Sequence, residues 1–432
     1  MAKRQAGGLE TAGSNPVAPT SYKYMQEHII KTKLQDIKDA EARLKRVLKP
    51  TPLFESPYFS ELSKNKIYFK PENLQITGSY KIRGAYNKIC ALPKQSIRNG
   101  LIAASAGNHA QGVAYAAKKL NLKAIIVMPK STPLVKIQAT KQYGVEVILW
   151  GDCYDEAYDY AVELAKKKEL TFIHPFNDWD VIAGQGTIGL EILEDLSDAE
   201  VIVVPVGGGG LIAGIAITAK KINPKIKIIG VEPKGAAAMN KSLASGEIIE
   251  LKEVITVADG VAVKKVGELP FLVAKTFVDK VICVSETEIL QAFLLLLEKH
   301  KLLVEPAGAV ATAALINDKL ELKNKKIVVI LSGGNIDLIT MSTLINKGLI
   351  NLGRVFEFCL DLVNKPGQLV QVAQILSDEN ANIIGIRHNQ FKDVERYHKV
   401  ELWITVEVAG FAHIERIKQA FRKANYEVKT ND

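Results

Sequence analysis

Two rhythms of apolar and polar residues divide the chain. From about residue 100, short β-branched runs alternate with stretches of helical period. "GLIAAS" precedes "NHAQGVAYAAKKL", "KAIIVMP" precedes "PLVKIQATKQY", and "VEVILW" precedes "YDEAYDYAVELAKKK". The same beat returns at "VIVVPV", "KIKIIGVE", "KVICVS" and "KKIVVILS". Apolar strands separated by helices of this length predict βαβ units and buried, largely parallel sheets. The pattern predicts one compact α/β set over 100–175 and a second over 176–348. Two such sheets facing each other leave a cleft at their strand ends, where α/β proteins bind ligands.

After "NKGLINLGR" the texture changes. "RVFEFCLDLV", "NKPGQLVQVAQILSDEN", "NIIGIRHNQ", "HKVELWITVEVAG" and "HIERIKQAFRKANYEV" read as strand, helix, two strands, helix and a final edge. That βαββαβ order predicts a separate ferredoxin-like unit over 354–432, with a linker near Gly348 and Gly353. The N-terminal stretch "AGGLETAGSNPVAPTS" is small, polar and aperiodic, so residues 1–24 are expected to be disordered. A natural start at Met25 is expected, because "GSNP" can be encoded by DNA resembling the T-arm of a transfer-RNA gene.

Composition narrows the function classes. A chain of 432 residues with 47% hydrophobic content carries more than one unit. Its net charge of +9 invites a nucleic-acid reading. However, the longest basic run is "KKK" at 166–168, and no aromatic-interleaved basic stripe appears, so a solvated lysine-rich surface is the better explanation. The four cysteines, Cys90, Cys153, Cys283 and Cys359, lie far apart with no metal-ligand spacing, which favours a reducing cytoplasm. No apolar stretch approaches a membrane span and no secretory signal is visible.

Four strand-end loops and one lysine carry the candidate chemistry. "SAGNHAQG" (105–112) follows a strand and opens a helix, as an anion site does. "VPVGGGGLIAG" (204–214) places four glycines before a helix, so that successive amides can curl around a phosphate. "EPAGA" (305–309) starts a helix, and "ILSGGNID" (330–337) ends a strand on a polar loop. Each has a plain structural reading: a tight turn, a cap at Asn108 and His109, a dipole partner at Glu305. Lys81, in "TGSYKIRGAYNK", read alone is a surface lysine. Together they suit pyridoxal phosphate, which needs an amine for its aldehyde, a cup for its phosphate, a donor for its ring oxygen and a partner for its ring nitrogen.

"GSYKIRGA", "SAGNHAQG", "GGGGL" and "SGGN", in this order, resemble the threonine dehydratases (threonine ammonia-lyases) of the β-family, fold type II, of pyridoxal-phosphate enzymes. The resemblance spans residues 26 to about 346, including "TPL" at 51–53 and "IAGQGTIGLEI" at 182–192. It implies that Lys81 holds the cofactor covalently and then takes the substrate α-proton. It implies that Asn108 bonds the cofactor's 3′-oxygen and that Gly207, Gly208, Gly209, Gly210 and Leu211 wrap the phosphate. Gly260, Glu305 and Ser332 complete the cofactor contacts, with Ser332 at the ring nitrogen, and Ser105, Ala106, Gly107 and Asn108 grip the substrate carboxylate. A hydroxyl at 332 does not enforce a protonated ring nitrogen, which favours prompt β-elimination. Deamination of L-threonine to 2-oxobutanoate and ammonia, with side activity on L-serine, is the expected reaction.

The chain also departs from its relatives. Tyr80 stands where many have Phe. Ala106 replaces the second serine of the racemases, which disfavours racemisation. Glu232 is present, but Ala238 occupies the position of an expected aspartate, so no divalent metal site is expected. Arg83 is expected to be structural, and Phe176 is a candidate wall of the methyl site. The C-terminal "FCLDLVNKPGQLVQVAQIL" resembles an ACT domain. This implies an amino-acid effector, isoleucine or valine first, near Asn364, Gly367, Gln368 and Leu369, and edge-to-edge pairing into a homodimer or homotetramer. A dimerisation module without effector, a serine-preferring dehydratase, a non-catalytic amino-acid sensor and a dinucleotide oxidoreductase remain as alternatives.

Overall fold

A computed structural model of the protein describes residues 33–389 and 399–430, so the expectations for residues 1–24 and for Met25 fall outside the described residues. The described residues begin with α1 (33–44), β1 (Phe54–Glu55), α2 (Pro57–Ser63), β2 (Lys66–Pro71) and α3 (Lys81–Ala91). A regular alternation follows: β3 (Leu101–Ala104), α4 (Asn108–Lys119), β4 (Ala124–Met128), α5 (Leu134–Lys141), β5 (Glu146–Leu149), α6 (Tyr154–Lys168) and β6 (Thr171–Phe172). Next come α7 (Trp179–Asp195), β7 (Val201–Pro205), α8 (Gly210–Ile222), β8 (Lys227–Pro233), α9 (Ala238–Ser245), α10 (Glu268–Phe277) and β9 (Lys280–Val284). Then α11 (Glu286–Leu295), α12 (Pro306–Ala313), β10 (Lys326–Leu331) and α13 (Leu338–Asn351) lead to the C-terminal unit. That unit is β11 (Val355–Val363), α14 (Gln368–Asp378), β12 (Asn382–Asn389), β13 (Lys399–Glu407), α15 (Phe411–Lys423) and β14 (Val428–Lys429).

Three sheets result. The smaller parallel sheet runs β5-β4-β3-β6 and the larger β1-β2-β10-β7-β8-β9, with only β1 antiparallel to its neighbour. Their central strands β3 and β7 are buried along their whole length. Burial on both faces explains why they read as continuous apolar runs rather than alternating ones. The larger sheet also takes in β1 and β2, from before residue 100, because β2 pairs in parallel with β10. Strands so far apart in sequence leave no local signal of their partnership.

The C-terminal sheet is antiparallel in the order β12-β13-β11-β14, the ferredoxin-like arrangement expected from its βαββαβ pattern. Local chemistry starts several helices. Asp178 accepts from the amides of Asp180 and Val181 at the head of α7, and Ser285 and Glu288 form a reciprocal capping box on α11. Among the described residues no helix is long and apolar enough to cross a membrane.

The helix carrying Lys81 is held by close backbone contact. A Cβ added at Gly184 in α7 would lie 2.5 Å from the carbonyl oxygen of Arg83, so α3 and α7 cross with almost nothing between them. At this crossing Arg83 is 1% exposed. Its guanidinium donates to both oxygens of Glu72 (2.7 and 2.8 Å), both oxygens of Glu191 (2.5 and 2.9 Å) and the Thr187 hydroxyl (3.1 Å). Lys70 reaches Glu191 at 2.6 Å and the Thr51 carbonyl at 2.6 Å, while the Thr51 hydroxyl donates to Glu72 at 2.7 Å. Arg83 is therefore a structural residue paired with carboxylates, as its sequence context suggests.

Candidate active site

Backbone pairing brings Lys81 and Ser332 together. Ser79 and Gly333 form an isolated antiparallel bridge. The Tyr80 amide donates to the Ser332 carbonyl at 3.1 Å, and the Gly334 amide donates to the Gly78 carbonyl at 2.9 Å. The Glu305 amide donates to the Gly333 carbonyl at 3.0 Å. The loop after β10 thus anchors both the start of α3 and the start of α12.

These loops surround a cavity of about 250 Å³ at the C-terminal ends of β3, β7 and β10. Every residue assigned from the sequence to cofactor or substrate lines it: Lys81, Ser105, Ala106, Gly107, Asn108, the run Gly207–Leu211, Gly260, Glu305 and Ser332. Phe176 lines it too. Sequence reasoning missed Lys136, Tyr154, Asp259 and Asn335 as lining residues. Asn335 lies inside the noted "SGGNID" loop, whereas Lys136 and Tyr154 read as ordinary helix positions.

Lys81 begins α3 half-buried, and its Nζ donates to the Pro175 carbonyl at 3.2 Å. Burial lowers its amine to about 8, with Glu305 acting in the opposite direction. Glu305 is 4% exposed. Burial pushes its carboxyl up to about 8, the nearby Asp259 adds to this, and Asn108, Lys136 and Lys81 oppose it. Asn108 is held at both ends of its amide: Nδ2 donates to Glu305 Oε1 at 2.6 Å, and Oδ1 accepts from Asn335 Nδ2 at 2.7 Å.

The two histidines beside the cavity are neutral. His109 Nε2 lies 2.8 Å from the Ile173 carbonyl, which can only accept, so the proton sits on Nε2. Burial, together with the Lys81 charge, takes His109 down to about 3. His174 Nδ1 accepts from the amides of Phe176 and Asn177, and burial takes it down to about 4. The His174 ring meets Phe176 edge to face, 4.7 Å between centroids.

The glycine run fits a phosphate. Gly209 has φ +90 and turns the chain directly into α8, whose first amides are free to face an anion. A Cβ at Gly208 would lie 2.4 Å from the Phe176 ring, so the loop packs against that ring with no room for a side chain. Ser332 supplies an uncharged hydroxyl to the same cavity. A lysine amine of lowered basicity, an amide cup and a neutral polar partner are what pyridoxal phosphate requires.

Glu232 is used differently. It is fully buried, and its two oxygens accept from the amides of Met239 and Asn240, both at 2.8 Å, at the start of α9. Burial pushes it up to about 7 against those two bonds. Ala238 beside it offers no side-chain oxygen, and among the described residues no three His, Cys, Asp or Glu side chains gather as metal ligands.

Fold and site together define a cofactor enzyme, and the chain belongs to the family of pyridoxal-phosphate dependent enzymes, whose model matches residues 44–333. It is similar to the L-threonine ammonia-lyase of Thermotoga maritima, 46% identical over 92% of this chain and 98% of that protein. The L-threonine ammonia-lyase of Geobacter sulfurreducens is 44% identical over 90% of this chain and 97% of its own length. Among solved structures, the processed form of threonine deaminase isoform 2 from Solanum lycopersicum superposes with a TM-score of 0.70. It is 42% identical and covers 72% of this chain and 87% of its own.

Proposed function

We propose that the protein deaminates L-threonine to 2-oxobutanoate and ammonia, with side activity on L-serine. The observation that carries this reading is Lys81: a half-buried amine, lowered to about 8, in one cavity with an amide-lined glycine loop and an uncharged Ser332. Pyridoxal phosphate, once bound, draws electrons from the substrate's α-carbon and so acidifies its C–H bond. Lys81 and the loop Gly207–Leu211 would hold it, with Asn108, Gly260, Glu305 and Ser332 around its ring.

The chain's own groups do the rest. An amine near 8 keeps a sizeable neutral fraction at neutral pH, and its lone pair takes the α-proton. Ser105, Ala106, Gly107 and Asn108 receive the substrate carboxylate at the start of α4, where amides point outward. Ala106 offers no hydroxyl to return a proton from the opposite face, which disfavours racemisation. Water lost with the β-hydroxyl is regained when the released enamine hydrolyses, so one threonine gives one 2-oxobutanoate and one ammonia.

The same reading assigns residues 25–348 to catalysis, with the smaller subdomain at about 100–175, and 354–432 to an ACT-type regulatory domain. A second cavity, of about 380 Å³, supports an effector role: Asn364, Gly367, Gln368 and Leu369 line it beside Lys365 and His388. Isoleucine or valine would set its carboxylate at the start of α14. Exposed Leu338 and Ile339 support assembly into a homodimer or homotetramer, and the wide sequence spacing of the four cysteines supports a cytoplasmic location.

Release of 2-oxo acid by purified protein with pyridoxal phosphate tests the reaction. Faster 2-oxobutanoate from threonine than pyruvate from serine supports it, and dominant pyruvate makes the protein a serine dehydratase. No product from either substrate sinks the catalytic reading. Added isoleucine or valine should change the rate or raise the Tm; no effect of any amino acid leaves the C-terminal domain as an assembly module.

A further inference from the structure

One wall of the active-site cavity is a short strap, residues 259–264, that belongs to the larger subdomain but crosses to the smaller one. Gly260, Val261, Ala262 and Val263 line the cavity. The strap and its flanks are tied to the larger subdomain: Val261 is buried in its core, the Leu251 amide donates to the Lys264 carbonyl at 2.8 Å, the Val257 amide donates to Glu286 at 2.7 Å, and the Gly267 amide donates to the Gly208 carbonyl at 3.1 Å. Toward the smaller subdomain, the polar contacts among the described residues are two ion pairs, one at each end of the strap. Lys136 on α5 meets Asp259 at 2.7 Å, and Asp155 on α6 meets Lys264 at 2.7 Å. Their polarity is opposite, so neither subdomain supplies only cations or only anions. Asp155 directly follows the cavity residue Tyr154, and Lys264 directly follows Val263.

We propose that Asp155 and Lys264, with Lys136 and Asp259, are positioning residues that hold the 259–264 strap across the cavity mouth and must part for an amino acid to enter or its product to leave. The Asp155–Lys264 pair, about half exposed on both sides, is weak and shifts an equilibrium by only about 1.5- to 5-fold. That is enough to favour the closed wall and small enough to be broken in every turnover. Salt weakens such pairs, so ionic strength acts on the same equilibrium. The outer pair, Asp155 and Lys264, is the cleaner one to test, because neither residue lines the cavity.

The inference rests on the amino-acid ammonia-lyase reading, so its test includes a measurement that needs no turnover. Asp155→Asn and Lys264→Met should each raise KM for threonine about threefold, with kcat and Tm little changed. The exchanged pair, Asp155→Lys with Lys264→Asp, should return KM toward the wild-type value. Added salt should raise KM in wild type and raise it less in Asp155→Asn, which keeps only the Lys136–Asp259 pair. Independently of activity, trypsin should cut after Lys264 or Lys265 about threefold faster in Asp155→Asn than in wild type. Equal cleavage rates overturn the proposal, whether or not threonine is the substrate. So does an exchanged pair no better than the doubly neutral Asp155→Asn, Lys264→Met protein.

Discussion

Asn108 Nδ2 lies 2.6 Å from Oε1 of Glu305, joining the first turn of α4 in the smaller subdomain to the residue that opens α12 in the larger one. Both side chains line the cavity that holds Lys81, so the two subdomains meet through a polar contact inside that cavity. The bond works as drawn with a protonated Glu305, because the carbonyl oxygen of a neutral acid still accepts from the asparagine amide.

Replacing Glu305 should therefore reveal a pH-dependent strain in the protein freed of cofactor. Its folded value, about 8, lies above the ordinary carboxylate value. Below that ordinary value both folded and unfolded chains are protonated, and burial of this group costs nothing. As pH rises the unfolded chain ionises first, so stability falls until the folded value is passed. Glu305→Gln keeps the bond from Asn108 and removes the titration. Its Tm should exceed wild type by about 2–4 °C at pH 8.5 and match it near pH 4.5. Equal differences at both pH values would contradict a raised Glu305.

Lys81→Ala should lower kcat for threonine by at least ~10³-fold while the protein still folds, since a positioned base and nucleophile are lost together. Borohydride reduction followed by intact mass should show pyridoxal phosphate attached to wild type and none on the variant.

At Arg83 the expected loss is of stability. Arg83→Met leaves Glu72 buried with the Thr51 hydroxyl and Glu191 with Lys70 as its remaining cation, and should cost ~3 kcal/mol in urea unfolding. Arg83→Lys should recover less than half, because an ammonium cannot bind two carboxylates through a fork.

The proposed phosphate cup can be probed through its contact with Phe176. Gly208→Ala brings a methyl to 2.4 Å from the ring and should weaken pyridoxal phosphate binding about tenfold or more. Adding Phe176→Ala removes the obstacle and should recover part of that loss, read by titration of cofactor absorbance. A double variant as weak as the single one would mean that the glycine is needed for its backbone alone.

Much of the site was legible because its parts are local. The turn into α8 requires glycine at 209 wherever a phosphate cup is built on a helix start, and that requirement shows in four consecutive letters. The C-terminal unit was legible for the same reason, since the period of its apolar residues changes from two to that of a helix along one continuous stretch. The partnership of β2 with β10 was not, because Tyr68 and Val328 meet across the middle of the chain and nothing near either residue marks the other. Lys136 and Asp155 read as solvated helix positions; Asp155 is one, whereas Lys136 lines the cavity, and each finds a partner in the strap.

The sequence by itself determined the strand–loop–helix units, the glycine turn that opens α8 and the polar loop that ends β10 at Ser332, because each depends on residues within one turn of structure. Tertiary structure alone decided that the Lys81 amine is lowered to about 8 and Glu305 raised to about 8, that Arg83 is spanned by two carboxylates, and that two ion pairs tie the strap to the other subdomain. Burial and Coulomb energy depend on distance in space, and folding brings within a few ångströms groups that the chain holds up to a hundred residues and more apart.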